Sequence, residues 1–393
     1  MKVLIVVDAV GVGGVSSALI NYVNVISQYA ECDLLVFDDI NLNKKFFSNN
    51  VTILNHNRAL YILGMSQNKI KKVSKLLSLF RLFLVFFSKL TSGSFARSII
   101  LSFTSKLGYY DFAVSFVQDV AWKSLARGCN DYVIRKVDAK VKAAFIHCDY
   151  EKYGGYDIRQ SLMYNKFDFI LCVSDGCRNS FCKCFPELES KVVIAENFVD
   201  SDRILTLSTE KSVEKADGIN IVTICRVTKE KGIDRALSVF KKISNYYNNF
   251  HWSIVGGGDQ IEQYIDLVNR LNLSKFVSFV GEQQNPFPYL AIADVFLLPS
   301  YHEAAPMVFG ECAILRIPII TTNTCSAIDL VQNRGIGFVC DNSEEGLYTI
   351  LFSLLRGDLD LESKRNTIEG IEVNYFARKQ LEQILMRVEA NNA

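Results

Sequence analysis

The chain has 393 residues, 49% of them hydrophobic, with 43 basic against 42 acidic side chains. That length is too great for one small core and suits two domains, while a net charge of +1 names no partner by itself, and no nucleic acid is expected. Eleven scattered cysteines, odd in number and without paired C-x-x-C spacing, read as reduced thiols of a cytosolic protein, which excludes a disulfide framework or a zinc site.

The opening MKVLIVVDAV reads as a first strand, Val3–Val7, and not as a signal peptide. A turn with Gly11, Gly13 and Gly14 follows it and opens a helix. Such a turn allows close backbone approach to a phosphate or sugar. The G-x-G-x-x-G fingerprint fails, because Ser16 stands where its third glycine would be, so a nicotinamide enzyme fits poorly.

Further strands are expected at Leu34–Phe37, Val51–Leu54, Phe112–Phe116, Ala143–His147, Phe169–Val173 and Val192–Ile194. Between Asp39 and Asp111 there is no acidic residue but eleven Lys and Arg, among them Lys69, Lys71, Lys72, Lys75, Arg81, Lys89, Arg97 and Lys106. Within that interval Leu76, Leu79, Phe80, Phe83, Phe87 and Leu90 recur at helical spacing. A basic amphipathic helix of this kind suits an anionic membrane surface, unless its apolar stripe packs on the domain. The apolar run Leu82–Phe87 is far too short to span a bilayer.

The polar stretch Ser201–Gly218 reads as a linker. A second set of strands begins at Ile219 and continues at Trp252–Val255, Phe276–Val280, Val295–Leu298, Ile317–Thr321 and Gly337–Cys340, with helices between them such as Ile233–Ile243. The expected organisation is α/β, with two Rossmann-like doubly wound domains facing a cleft. The N-terminal domain covers 1–200, the linker 201–218 and the C-terminal domain 219–373. A helix in 374–393 returns to the first domain. Ligands in such sheets bind beyond the carboxyl ends of the strands.

Candidate chemistry gathers at those ends. Arg226 and Lys231 lie just past the Ile219–Ile224 strand, where two cations can neutralise a diphosphate. Gly257 lies in the VGGGD turn after the next strand. Glu303 follows the run Asp294–Ser300, and Pro306 is placed at the first position of a helix that carries Glu311. A helical rise of about 1.5 Å per residue separates the two carboxylates by roughly 10–12 Å. Between them, backbone N–H groups of Met307 and Val308 form an anion-attracting helix terminus. His147 ends a strand of the first domain, with Asp149 two residues on to orient it or touch an acceptor.

The stretch PSYHEAAPMVFGE, with Glu303 and Glu311 separated by seven residues, resembles the signature of retaining glycosyltransferases of GT-B fold, family 4, of the bacterial capsule, O-antigen and exopolysaccharide type. Arg226 and Lys231-Gly232 resemble that family's Arg-x4-Lys-Gly element. One departure is Ala304, where the family usually has glycine. The resemblance implies that the 1–200 domain binds the acceptor and the 219–373 domain the nucleotide-sugar. It implies that Glu303 contacts donor-sugar hydroxyls, that Glu311 takes both ribose hydroxyls, that Arg226 and Lys231 assist departure of the nucleotide, and that His147 hydrogen-bonds a sugar hydroxyl or steadies the departing oxygen. Gly13 and Gly14 match the family's GG loop at the donor phosphates or acceptor. The implied reaction moves a hexose from a nucleotide-sugar, of which a UDP-sugar is the commonest, to a lipid-linked saccharide. No metal and no cofactor is implied. The implied setting is the cytoplasm, at the inner face of the plasma membrane. A sugar-nucleotide epimerase of the same fold and a non-catalytic sugar-nucleotide-binding protein remain alternatives.

Overall fold

The computed structural model describes residues 1–119, 121–153 and 157–390. The chain divides into two compact units, Met1–Phe198 with Tyr375–Ala393, and Val199–Asn374.

The first unit holds a seven-stranded parallel sheet in the order β3-β2-β1-β4-β5-β6-β7. Its strands are β1 Lys2–Ala9, β2 Glu31–Asp38, β3 Val51–Ile53, β4 Leu107–Ser115, β5 Val137–Ile146, β6 Phe169–Cys172 and β7 Val192–Ile194. The second unit holds a six-stranded parallel sheet in the order β10-β9-β8-β11-β12-β13. Those strands are β8 Ile219–Ile224, β9 Phe250–Val255, β10 Val277–Gly281, β11 Val295–Leu298, β12 Ile319–Thr322 and β13 Gly337–Cys340. Each sheet grows outward from its first strand and then reverses, between β1 and β4 in one unit and between β8 and β11 in the other. In both, connections leave the carboxyl ends of two adjacent strands in opposite directions, which opens a ligand crevice there.

Buried apolar strands drive both sheets. Val3–Val7 and Phe296–Leu298 are at most 1% exposed, and Trp252 and Phe240 fill one face of the second sheet. The helix Ile233–Ile243 forms as its spacing predicts, with Ile233, Ala236, Leu237, Phe240 and Ile243 all buried.

Two expectations change. The segment read as a linker begins with a helix, Ser201–Ser208, whose N-terminus is capped by Asp200 accepting from the Arg203 N–H. Only Ile204 of that helix is buried, so its apolar signal is too thin to show a period. The boundary between units falls at Phe198/Val199 and again at Asn374/Tyr375. The final helix, Tyr375–Ala390, belongs to the first unit: Leu381, Ile384, Leu385 and Val388 are buried, and the Gln380 side chain accepts from the Glu196 N–H.

Candidate active site

In the second unit the functional candidates collect at the carboxyl edge of the sheet, around the β8/β11 reversal. Strand β11 ends at Leu298 as expected, because the Pro299 and Ser300 carbonyls leave the ladder. They are taken by Arg235, whose buried guanidinium donates to Pro299 O at 2.7 and 2.9 Å and to Ser300 O at 2.6 Å. Its plane lies over the Tyr301 ring, 4.1 Å from the centroid. This clamp sets the direction in which the chain leaves β11 and hence where Glu303 sits.

Gly232 lets the loop after β8 reach that point. It adopts φ 64°, and a Cβ there would stand 2.0 Å from Pro299 O. A residue with a side chain would therefore push the two loops apart. With the glycine, Lys231 Nζ meets Glu303 Oε1 at 2.5 Å, and Ser300 Oγ donates to the same oxygen at 2.6 Å. The Glu303 side chain is only 11% exposed and that of Lys231 24%. The Cys325 thiol of the loop after β12 donates to the Glu303 carbonyl at 3.1 Å. Lys231 is thus an ion-paired cation. Arg226 is exposed, and its side chain has no hydrogen-bond or ion-pair partner among the described residues.

Gly257 lies beside Glu282 at the end of β10, and its carbonyl accepts from the Val227 N–H at 2.8 Å. The tighter position is its neighbour. Gly256 adopts φ 142°, and a Cβ there would stand 1.9 Å from Cys225 O, so the loops after β8 and β9 touch backbone to backbone.

The helix Met307–Ile314 opens one residue later than expected, with Pro306 as its N-cap and no side chain capping it. Phe309 N–H reaches the Pro306 carbonyl, which leaves the Met307 and Val308 N–H groups ahead of it without partners among the described residues. One turn on, Glu311 is half-buried. Burial pushes its carboxyl up to about 7, against the pull of Arg203.

His147, Gly13 and Gly14 belong to the first unit. Gly13 caps the helix Gly14–Ile26 with φ 132°, at the carboxyl end of β1. His147 follows β5 and is packed against the rings of Phe116 and Phe145, with centroids at 4.8 and 5.1 Å. Its Nε2 meets the Phe116 carbonyl at 2.9 Å, and since a carbonyl only accepts, Nε2 carries the proton. Burial lowers the imidazole to about 4, so it is neutral at pH 7. Neutral His147 has Nδ1 left to accept from a hydroxyl and no second N–H with which to steady a departing oxygen. Asp149 turns out to be internal, accepting from Ser180 Oγ at 2.6 Å.

Close to His147 the structure adds Arg127 and Asp8, neither of them among the expected site residues. Arg127 adopts φ 67°, donates to the Gln118 carbonyl at 2.8 Å and places Nε 3.9 Å from Asp8 Oδ2. Burial raises the Asp8 carboxyl above its ordinary value even with Arg127 beside it. Asp8 has a signal in its position at the end of β1. Arg127 lies in a connection with no local pattern.

The His147 imidazole makes the first unit sensitive to acid. Its folded value lies below the unfolded one near 6.5, so stability is intact above 6.5 and falls as pH drops toward 4. The loss is about 2–3 kcal/mol by linkage. His147→Phe is expected to flatten the melting temperature of the protein across that window, as read by circular dichroism.

Residues 207–368 match the family model described as Glycosyl transferases group 1. The matched stretch lies within the second unit. The chain is 29% identical over 166 residues to an uncharacterised glycosyltransferase of Methanocaldococcus jannaschii, 41% of each chain. It is 26% identical over 210 residues to the capsular polysaccharide biosynthesis glycosyltransferase CapM of Staphylococcus aureus, 51% of this chain and 54% of that one. The matched part thus spans about half or less of these curated relatives. Among solved structures, Anabaena HepE in complex with UDP superimposes with a TM-score of 0.66 at 13% identity, covering 98% of this chain and 100% of that one. The fold is therefore GT-B.

Proposed function

We propose that this glycosyltransferase domain serves a retaining hexosyltransferase of family 4 type, which moves a hexose from a UDP-sugar to a hydroxyl of a lipid-linked saccharide in surface polysaccharide synthesis. The acceptor lies at the inner face of the plasma membrane. The observation that carries the reading is the Lys231–Glu303 pair, set at the β8/β11 reversal beside an uncapped helix terminus and one helix turn from Glu311. Named similarity to CapM supports the polysaccharide setting, and HepE in complex with UDP supports the nucleotide.

In this mechanism the Met307 and Val308 N–H groups and Arg226 hold the diphosphate, and Glu311 accepts from the ribose hydroxyls. Gly257 leaves room for the nucleotide, and in the first unit Gly13 and Gly14 allow close backbone approach of a phosphate or sugar. Glu303 orients the hexose, and Lys231 bridges sugar and phosphate. The bond from the anomeric carbon to the diphosphate breaks with its electron pair passing to phosphate oxygen. The acceptor hydroxyl attacks the same face, and its proton goes to the departing phosphate. Charge that grows on the diphosphate meets fixed cations and backbone dipoles, which is where such a site gains its rate. In the first unit, Nδ1 of His147 accepts from an acceptor hydroxyl.

A panel of sugar nucleotides tests this directly: one of them should raise the melting temperature and yield a glycoside that keeps the donor's anomeric configuration by NMR. Inversion of configuration, or release of a 2-epimer with no acceptor consumed, would overturn it. With two side-chain cations and a helix terminus facing the phosphates, EDTA should leave the rate unchanged. Loss of activity with EDTA that magnesium or manganese restores would assign the phosphate charge to a metal instead.

A further inference from the structure

The helix Lys75–Leu90 turns most of its large apolar side chains outward. Ser78, Leu84 and Ser88 are buried, while Leu76, Leu79, Leu82, Phe83, Phe86 and Leu90 are 50–77% exposed. The inward polar side is satisfied there. Arg81 Nε donates to the Ile62 carbonyl at 3.1 Å and Nη1 to Gln67 Oε1 at 2.9 Å, and Gln67 Nε2 donates to Ser78 Oγ at 2.7 Å. Helical spacing puts the exposed apolar residues on one stripe, with Lys75 and Lys89 along one edge.

The stripe continues into its neighbour, the helix Gly93–Ser102, and the segment after it. Phe83 stacks on Phe87, Phe87 meets the exposed Phe95, and Phe80 meets the exposed Phe103, with centroids 5.8–6.4 Å apart. An apolar surface this continuous is rare on a protein that stays in water.

The surrounding charge is selective. Of the basic residues in the acid-free interval, Lys69 pairs with Asp38 at 2.5 Å, Arg97 is buried against Asp131, and Arg81 points inward. Lys71, Lys72, Lys75, Lys89 and Lys106 remain exposed on the stretch of chain that carries the apolar stripe, with no carboxylate from 40 to 110 to offset them. A second copy of the chain would bring these lysines against each other. No helix among the described residues is long and apolar enough to cross a membrane.

From this exposure we infer that the outward face of Lys75–Leu90, with Phe95 and Phe103, docks into the surface of an anionic lipid bilayer. The helix lies in the membrane plane, its outward Leu and Phe side chains enter the acyl boundary, and the exposed lysines meet lipid phosphates. The inference deepens the reading of a lipid-linked acceptor, but its geometry is independent of the transfer reaction.

The test is co-sedimentation of the whole protein with vesicles of phosphatidylcholine containing phosphatidylglycerol, and with phosphatidylcholine alone. Binding is expected to the anionic vesicles and to weaken with salt. The variant Leu79→Gln/Phe83→Gln/Phe86→Gln should lose binding by about tenfold or more, since acyl-boundary burial drives insertion. Because these side chains are exposed, its melting temperature should not fall. Lys71→Gln/Lys72→Gln/Lys75→Gln should weaken binding and remove most of its salt dependence.

Activity on a short soluble acceptor reports separately on the proposed transfer, so one reading can fail while the other stands. Absence of binding to either vesicle would overturn the inference, as would equal binding by the Gln-substituted apolar face. So would a dimer in solution, by sedimentation velocity, that the same three substitutions dissociate.

Discussion

Replacing Lys231 with alanine is expected to lower turnover by about 10²–10³-fold, the usual cost of removing one charged stabiliser from a developing anion. The loss has two sources that can be separated. Lys231 faces the departing diphosphate in the proposed mechanism, and it also neutralises Glu303, whose side chain is 11% exposed. Lys231→Ala leaves that carboxylate without its counter-charge, so donor affinity falls as well as turnover. Glu303→Gln keeps the shape and removes the charge. If the pair acts as a unit, the double variant Lys231→Ala/Glu303→Gln is hardly slower than Lys231→Ala alone. Arg226→Ala affects turnover without this coupling, because Arg226 has no ion-pair partner among the described residues. Steady-state rates on the identified donor decide the matter. Near-native turnover of Lys231→Ala would remove it from the reaction.

Binding of a UDP-sugar at pH 6 releases protons, and affinity rises about tenfold between pH 6 and pH 8 as the group binding the ribose ionises. In the proposed site that group is Glu311, whose carboxyl is raised to about 7 by burial. Ribose hydroxyls donating to the carboxylate favour its charged form, so the donor pulls the titration down and expels the proton. The sugar nucleotide has no group titrating in this range, so the proton can be assigned to the protein.

Without donor the sign reverses for stability. A carboxyl raised in the folded state favours folding while protonated, so its contribution declines as pH rises from about 4.5 through 7, by about 3 kcal/mol. Calorimetry in buffers of different ionisation heats, with Glu311→Gln as the control, reads both effects. The variant should bind weakly at every pH, by about 1–3 kcal/mol for ribose hydroxyls left imperfectly paired, and should be more stable than the native protein at pH 8. PH-independent affinity in the native protein would take the ribose away from Glu311.

Features carried by near neighbours in the chain were legible without coordinates. Buried strands such as Val3–Val7 and Val295–Leu298 announce themselves by uninterrupted apolar runs. The helix Ile233–Ile243 announces itself by its period. The spacing of Glu303 and Glu311 across a strand end and a helix start is equally local. These signals depend on the geometry of one strand or one turn, which any chain with that pattern shares.

Tertiary packing decided the rest, because it brings together groups that no pattern links. Lys231 and Glu303 are 72 positions apart, and their pairing depends on Gly232 lying against Pro299 and on Arg235 holding the Pro299 and Ser300 carbonyls. The protonation of His147 follows from the Phe116 carbonyl on a neighbouring strand, and the pairing of Asp8 from Arg127 in a distant loop. The helix Lys75–Leu90 is the sharpest case. Its amphipathic period is plain in the residues, but a period has two faces and carries no sign. Only the Gln67, Ile62 and Ser78 partners of the inward side determine that the serines are buried with Leu84 while Leu76, Leu79, Leu82, Phe83, Phe86 and Leu90 meet the solvent.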